Sequence, residues 1–145
     1  SLNQGINMIV IADFARLIGV DTLHIGTGIG KLEGKIKEIK EIKEDIEKKN
    51  VKKTKLRLEQ NWGKIKSVLG VSSGGLHPGH IPFLVKHLGK NLVVQAGGGV
   101  HGHGSGTESG AKAMRQAVDA VMKRNSLKQY AKSHKELKEA LEKWK

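Results

Sequence analysis

Three stretches of this 145-residue sequence place glycines a few residues or less after a short aliphatic run. The longest glycine run, at 97–99, follows a pair of valines, and Gly74 and Gly75 follow a second such run. A third segment, 26–34, carries Lys31 among its glycines. Consecutive glycine N–H groups can surround a phosphate, and a lysine on a glycine-rich loop can close over a bound anion. These spacings predict one anion-binding rim formed by three loops.

Plainer interpretations stay open for each motif alone. A single glycine pair can be a tight turn before a helix, and two such loops after neighbouring strands favour phosphate. Lys31 can be a surface lysine, because Leu32 stands where a P-loop requires serine or threonine. His24, at a predicted strand end, could donate to an anion or be a satisfied core histidine. Ser73 lacks a Gly-x-Ser-x-Gly elbow and is better interpreted as a hydroxyl that binds substrate.

Four further histidines could suggest a metal site. The sequence has no cysteine and no helical histidine pair with a catalytic glutamate, so we predict no zinc bound by the protein. These four histidines are His77, His80, His101 and His103.

The apolar periodicity predicts a helix followed by three strand–loop–helix units. Alternating strands and helices are typical of a parallel α/β sheet, with buried strands and with function at the carboxyl ends of the strands. The predicted helices are 7–18 (ending at Gly19), 35–49, 80–88, 107–124 (with Thr107 as a possible N-cap) and 133–144; the strands are 21–25, 66–72 and 91–95; and 50–61 is a loop, with Trp62 as an anchor.

The composition limits the possible functions. The net charge of +12 fits either a nucleic-acid-binding module or a lysine-rich solvated surface, and the 3% aromatic content lowers the case for nucleic acid. No signal peptide and no apolar run near the length of a membrane span is evident, so we expect a soluble, cytoplasmic protein. The chain begins at Ser1 directly before an apolar periodic segment, which suggests a cut within a larger protein or a split subunit.

The three loop motifs together resemble a known family. Residues 23–34 resemble the strand-six and loop-six signature of the large subunit of ribulose-1,5-bisphosphate carboxylase/oxygenase (RuBisCO). Residues 71–79 and 95–103 resemble its strand-seven and strand-eight loops, and 110–117 resembles the following helix in archaeal type III subunits. The resemblance implies an α/β fold that is the C-terminal part of a (β/α)8 TIM barrel, with strands six to eight. We expect this barrel segment over 1–125 and a helical tail over 126–145.

The resemblance also implies roles for individual residues. Lys31 would be catalytic, stabilising the carboxylate formed when CO2 adds to the enediolate, and Glu33 would position its loop. Gly75, Gly97 and Gly98 would hold one phosphate of the sugar bisphosphate, His24 would help to hold the other, and Ser73 would bind a sugar hydroxyl. The full implied substrate-binding set is His24, Ser73, Gly74, Gly75, Gln95, Gly97 and Gly98.

The resemblance implies partners as well. The complete enzyme would need Mg²⁺, whose ligands, like the proton-abstracting lysine, would lie on earlier strands outside this chain. The partners would be the remainder of the large subunit, a homodimer or higher oligomer, ribulose 1,5-bisphosphate and CO2, with no nucleic acid and no membrane. We expect the chain alone to be inactive. A RuBisCO-like enolase or isomerase is the alternative, and Lys31 favours a true carboxylase.

Overall fold

The computed structural model describes residues 5–29 and 36–144 and has mixed α/β architecture. The helices are α1 (Met8–Ile18), α2 (Ile36–Glu47), α3 (Ile81–Leu88), α4 (Gly98–His101), α5 (Thr107–Met122), α6 (Leu127–Tyr130) and α7 (Lys135–Lys143), with a 3₁₀ turn at Pro78–His80. The strands are β1 (Thr22–His24), β2 (Asn50–Val51), β3 (Gln60–Asn61), β4 (Leu69–Ser73) and β5 (Val93–Gln95).

The central sheet is parallel, as the sequence predicts. Its order is β1-β4-β5, and His24 and Val93 both pair with Val71 on the middle strand. Helix α2 lies between β1 and β4 along the chain, and α3 lies between β4 and β5. Parallel strands joined by helical crossovers end at the same edge of the sheet. The three strand-end loops therefore begin side by side.

The expectation that all three strands are buried is wrong for the outer two. Residues 70–72 of β4 are buried, whereas β1 and β5 alternate between exposed ends and a half-buried centre. Leu23 and Val94 pack against the main core, while His24 and Gln95 are exposed. Because successive strand residues point to opposite faces, one face of the sheet packs against the core and the outer strands expose side chains on the other.

The bounds of helices α1 and α2 lie close to the predicted ones. The Asn7 side chain caps α1 by accepting a hydrogen bond from the Ile9 N–H at 3.1 Å, and Gly19 ends the helix with φ 87°. A left-handed residue at this position is the common end of a helix and favours glycine. The isoleucines of α2 recur on one face, and three of them are buried: Ile39, Ile42 and Ile46.

The segment predicted as a loop over 50–61 contains a short antiparallel pair. Asn50 pairs with Asn61 in the β2–β3 ladder, and the Trp62 N–H donates to the Lys49 carbonyl at 2.8 Å. Trp62 is buried, as predicted, and the Arg16 guanidinium lies 4.6 Å from the centre of its ring. The buried tryptophan fixes the end of the segment beside its start, which allows the two short strands to pair.

The C-terminal part packs as helices against α5. Small residues of α5, including Ala113 and Ala117, are fully buried and allow close approach. Thr107 is not the N-cap of α5: Gly106 occupies that position, and Thr107 Oγ1 lies 3.1 Å from His101 Nδ1 instead. In the described part of the chain, no helix is long and apolar enough to span a membrane.

Candidate functional site

Three of the predicted binding residues gather on the open side of the sheet, at its carboxyl edge. His24 ends β1, Ser73 ends β4, and Gln95 ends β5. His24 Nδ1 lies 2.8 Å from Ser73 Oγ, and Ser73 is the register partner of Gln95. Two-residue alternation places these positions on the same face as Val71 and Val93. The arrangement offers a hydroxyl, an amide and an imidazole along one edge.

The β4 loop, residues 74–77, begins with two glycines in left-handed conformations. Gly74 has φ 107° and Gly75 has φ 67°, values that L side chains rarely adopt. Gly75 is exposed, and Leu76, directly after it, is buried in the main core. The glycine pair thus reverses the chain immediately after Ser73 and leaves the backbone of Gly75 accessible.

The β5 loop, residues 96–106, lies directly against the β4 loop. A Cβ atom at Gly99 would lie 2.0 Å from the Leu76 carbonyl oxygen, so only glycine allows this close contact. Gly97 and Gly98, by contrast, are exposed and have open space where a side chain would be. Gly98 is also the first residue of α4, and the first N–H groups of a helix have no acceptor within it. Exposed backbone donors of the two loops therefore lie near each other.

Two predicted residues, Lys31 and Glu33, lie outside the described residues. The start of their loop is described as far as Ile29. Thr27 is fully buried there, and the hydroxyl of Ser72 on β4 donates to the Thr27 carbonyl at 3.3 Å. This contact fixes the beginning of the loop beside the middle strand.

The rings of His77 and His80 pack against each other rather than pointing toward a ligand. Their ring centroids are 3.6 Å apart, and His77 Nδ1 accepts a hydrogen bond from the Gly79 N–H at 3.2 Å. Burial lowers the pKa of His77, with a further contribution from the charge of His80, and burial lowers the pKa of His80. Both shifts favour the neutral rings that this packing requires.

His103 has a structural partner that the sequence analysis missed. Its ring is buried, with Nε2 donating to the Glu136 carbonyl at 2.9 Å and Nδ1 accepting from the Ser105 N–H at 3.1 Å. The hydrogen bond between His103 and Glu136 joins residues 33 positions apart in the sequence. A local sequence pattern carries no signal for a contact at this separation. Across residues 5–29 and 36–144, no group of three His, Asp or Glu side chains could hold a metal ion.

A cluster of charged side chains that the sequence pattern does not predict lies between α1 and α2. Burial and the neighbouring Asp45 carboxylate raise the pKa of Asp13 to about 7, while Arg57 opposes the rise. Asp45 is 2% exposed, and its backbone carbonyl accepts a hydrogen bond from Arg16. Asp13 and Asp45 line a cavity of about 270 Å³ that is separate from the glycine loops.

The fold and the site together define the class of protein. The chain is a parallel α/β segment whose polar side chains and exposed glycine backbone meet at the carboxyl edge of its sheet, which is where such folds bind ligands. The sequence profile of the family described as "Ribulose bisphosphate carboxylase large chain, catalytic domain" matches residues 1–144. The chain therefore belongs to this family and forms part of the ribulose-bisphosphate carboxylase catalytic domain, which confirms the resemblance.

Several similar proteins come from archaea. A ribulose bisphosphate carboxylase of Methanocaldococcus jannaschii is 50% identical over 147 residues, which cover 100% of this chain and 35% of that protein. One from Pyrococcus furiosus is 47% identical over 141 residues, which cover 97% of this chain and 31% of that protein. The chain thus spans about a third of the length of the relatives it matches.

Solved structures agree in fold. A dimeric archaeal RuBisCO from Hyperthermus butylicus superposes with a TM-score of 0.89 and 44% identity, covering 97% of this chain and 33% of that one. An octameric RuBisCO from Pyrococcus horikoshii gives a TM-score of 0.81 and 44% identity, covering 97% and 31%. Homologues of this chain are therefore dimeric or octameric enzymes.

Proposed function

We propose that this chain supplies strands six to eight of a RuBisCO catalytic barrel and binds the sugar bisphosphate at the carboxyl edge of those strands. In this assignment β1, β4 and β5 are the three barrel strands. The remainder of the large subunit supplies the other strands, and the enzyme works as a homodimer or higher oligomer. The observation that carries the proposal is the meeting of the His24–Ser73 pair with the glycines of the β4 and β5 loops.

Each residue at the edge has a role that suits its chemistry. The backbone N–H groups of Gly75, Gly97 and Gly98 bind one phosphate, and Gly74 provides the turn that exposes Gly75. Ser73 binds a hydroxyl of the sugar, and His24 helps to bind the second phosphate. Phosphates held at both ends orient the substrate and supply binding energy remote from the reacting carbon.

The side chain of Gln95 completes this binding edge. It ends β5 on the same face as Ser73, its register partner, and is exposed. An amide both donates and accepts, so Gln95 can contact the substrate between the phosphate-binding glycines and the hydroxyl bound by Ser73.

Lys31 carries the charge needed for carbon–carbon bond formation. When CO2 adds to the enediolate of ribulose 1,5-bisphosphate, the new carboxylate bears a negative charge. A fixed ammonium group beside that position stabilises the negatively charged transition state more than it stabilises uncharged CO2. Glu33, two residues away in the sequence, positions the lysine loop.

Mg²⁺ is required by the complete enzyme in this proposal, but the described residues do not fit a Mg²⁺ site. Within them no cluster of three carboxylate or imidazole groups is present, and Mg²⁺ prefers several oxygen ligands. We therefore assign the metal ligands, and the lysine that abstracts a proton, to the rest of the large subunit. The chain alone is expected to bind phosphate without catalysing carboxylation.

A matched pair of glycine variants tests the binding edge. A methyl group at Gly98 or at Gly104 meets no neighbouring atom, and neither glycine has a positive φ, so both alanine variants should fold. Only Gly98→Ala would place its methyl group where the phosphate is proposed to lie. We expect Gly98→Ala to weaken binding of ribulose 1,5-bisphosphate at least about tenfold, and Gly104→Ala to leave it unchanged. Equal affinities for both variants would contradict the phosphate assignment.

The lysine is tested in the same series. The chain is combined with the missing part of the large subunit, and CO2 fixation is measured. Lys31→Ala should lower the carboxylation rate by about 100- to 1,000-fold. Lys37→Ala, which removes an exposed lysine of α2, is the control. A full rate with Lys31→Ala would overturn the role of Lys31.

A further inference from the structure

The β5 loop lies against both ends of helix α7, where Trp144 directly follows the last helical residue. At the first end, the buried His103 ring of the loop donates to the Glu136 carbonyl at 2.9 Å. At the other end, a Cβ atom at Gly102 would lie 3.5 Å from the ring of Trp144, the residue that ends α7. Because the β5 loop is held at both ends of α7, it cannot rotate about either contact alone.

Trp144 also contacts the residue that ends the β4 loop. Its ring stacks on His77, with the ring centroids 5.5 Å apart and the planes 12° from parallel. His77 directly follows Leu76, whose carbonyl oxygen lies against Gly99 of the β5 loop. One indole ring therefore stacks on the end of the β4 loop and lies beside the backbone of Gly102 in the β5 loop.

The anchoring of α7 itself does not depend on Trp144. Leu137 and Ala140 are buried in the contact with neighbouring helices, and the side chain of Gln116 on α5 accepts a hydrogen bond from the Leu137 N–H at 2.9 Å. Trp144 is only half-buried; its ring stacks on His77 of the β4 loop, and the Lys143 ammonium lies 5.7 Å from the ring centroid. Removal of its ring should therefore loosen the loops before it releases the helix.

We propose that Trp144 is a positioning residue that holds the β4 and β5 loops at a fixed separation, with His103 as the second fixed point of the β5 loop. The ligand class of this role, a phosphate group, rests on the proposed function. A fixed separation matters because backbone N–H groups on two loops bind one phosphate well only when both sets are placed beforehand.

Hydrogen exchange of backbone amides in the full chain tests the positioning role without any ligand. Trp144→Ala removes the ring, Trp144→Phe keeps an aromatic face for His77, and Lys138→Ala changes an exposed side chain of α7. We expect Trp144→Ala to speed exchange in 74–80 and 97–103 by about 3- to 10-fold, the range of one aromatic contact. Trp144→Phe should restore most of the protection, and Lys138→Ala should not change it.

Two results would overturn the proposal. The first is unchanged exchange in both loops with Trp144→Ala. The second is an equal rise in exchange in α1, α2 and the loops, because a general loss of stability, including failure to fold, would make Trp144 an ordinary packing residue. Trp144→Leu, which keeps more apolar volume than alanine but removes the ring that stacks on His77, reports the same contrast between loops and helices if the alanine variant is too unstable.

Inorganic phosphate, titrated into the same variants, separates this inference from the proposed function. Trp144→Ala should raise the dissociation constant for phosphate about 3- to 10-fold, with rescue by Trp144→Phe. Loosened loops with an unchanged phosphate affinity would refute the positioning of binding groups. If Trp144→Ala loosens the loops but the parent chain itself binds no phosphate, the result would support the positioning role of Trp144 and contradict the proposed phosphate site.

Discussion

Replacing Asp13 with asparagine is expected to stabilise the chain at neutral and alkaline pH, and to have almost no effect at pH 4. Asp13 lies on α1 beside Asp45 of α2, and one of its carboxylate oxygens is buried without a hydrogen-bond partner among the described residues. Burial, followed by the Asp45 carboxylate, raises the pKa of Asp13 from 3.8 to about 7. Asparagine keeps the size of the protonated acid and removes the charge.

The sign of the effect follows from proton linkage. Between pH 3.8 and pH 7 the folded chain holds the Asp13 proton and the unfolded chain releases it. The free energy of unfolding therefore falls as the pH rises through this window, and it is constant with respect to Asp13 above it. The raised pKa sets a ceiling of about 4 kcal/mol. Asp13 is only half-buried and lines a cavity of about 270 Å³ that can hold water, so we expect a gain of about 1–2 kcal/mol at pH 8.

Urea denaturation of the parent and of Asp13→Asn at pH 4, 6 and 8 measures this effect. The difference in unfolding free energy should grow across the three pH values. Asp21→Asn is the matched control, because the pKa of the exposed Asp21 is lowered by its hydrogen bond to Lys66 and the sign reverses. A difference for Asp13→Asn that is constant with pH would refute the argument, since packing changes alone do not titrate.

Two further predictions concern packing. Gly99→Ala should destabilise the chain by about 2–4 kcal/mol, because its methyl group would overlap the Leu76 carbonyl oxygen, and urea denaturation beside the open-space variant Gly104→Ala checks this. The chain alone should self-associate through α1, on which Phe14 is 61% and Ile18 is 79% exposed. Phe14→Lys should shift the molecular mass measured by light scattering toward the monomer, and a parent chain that is monomeric at all concentrations would contradict this.

Elements defined by short-range patterns were predictable from the sequence. The isoleucine spacing of α2 and the Asn7 and Gly19 ends of α1 act within one or two helical turns, so the sequence contains the whole signal. The parallel sheet followed from the alternation of strands and helices. The edge that gathers His24 and Ser73 then followed from the rule that parallel strands end together.

Contacts between distant residues were not predictable in the same way. The β2–β3 pair depends on the burial of Trp62, and the fixed β5 loop depends on His103 meeting Glu136. The short helix α4 forms within a glycine run, against the low helix propensity of glycine, and Gly99 in it packs directly on the Leu76 backbone. Tertiary packing overrides local propensity at these places.

The net charge of the chain and the chemistry of its proposed binding edge act over different distances. The net charge is +12, yet the side chains of Ser73 and Gln95 are uncharged and the proposed phosphate donors are backbone N–H groups. Backbone donors are already ordered by the fold, so binding a phosphate with them costs less conformational entropy than ordering long lysine side chains. The surplus of lysines acts over a longer range, where it is expected to attract the proposed sugar bisphosphate, a polyanion, and to raise its rate of encounter. A strongly basic composition is thus consistent with a small anionic substrate and does not require nucleic acid as the partner.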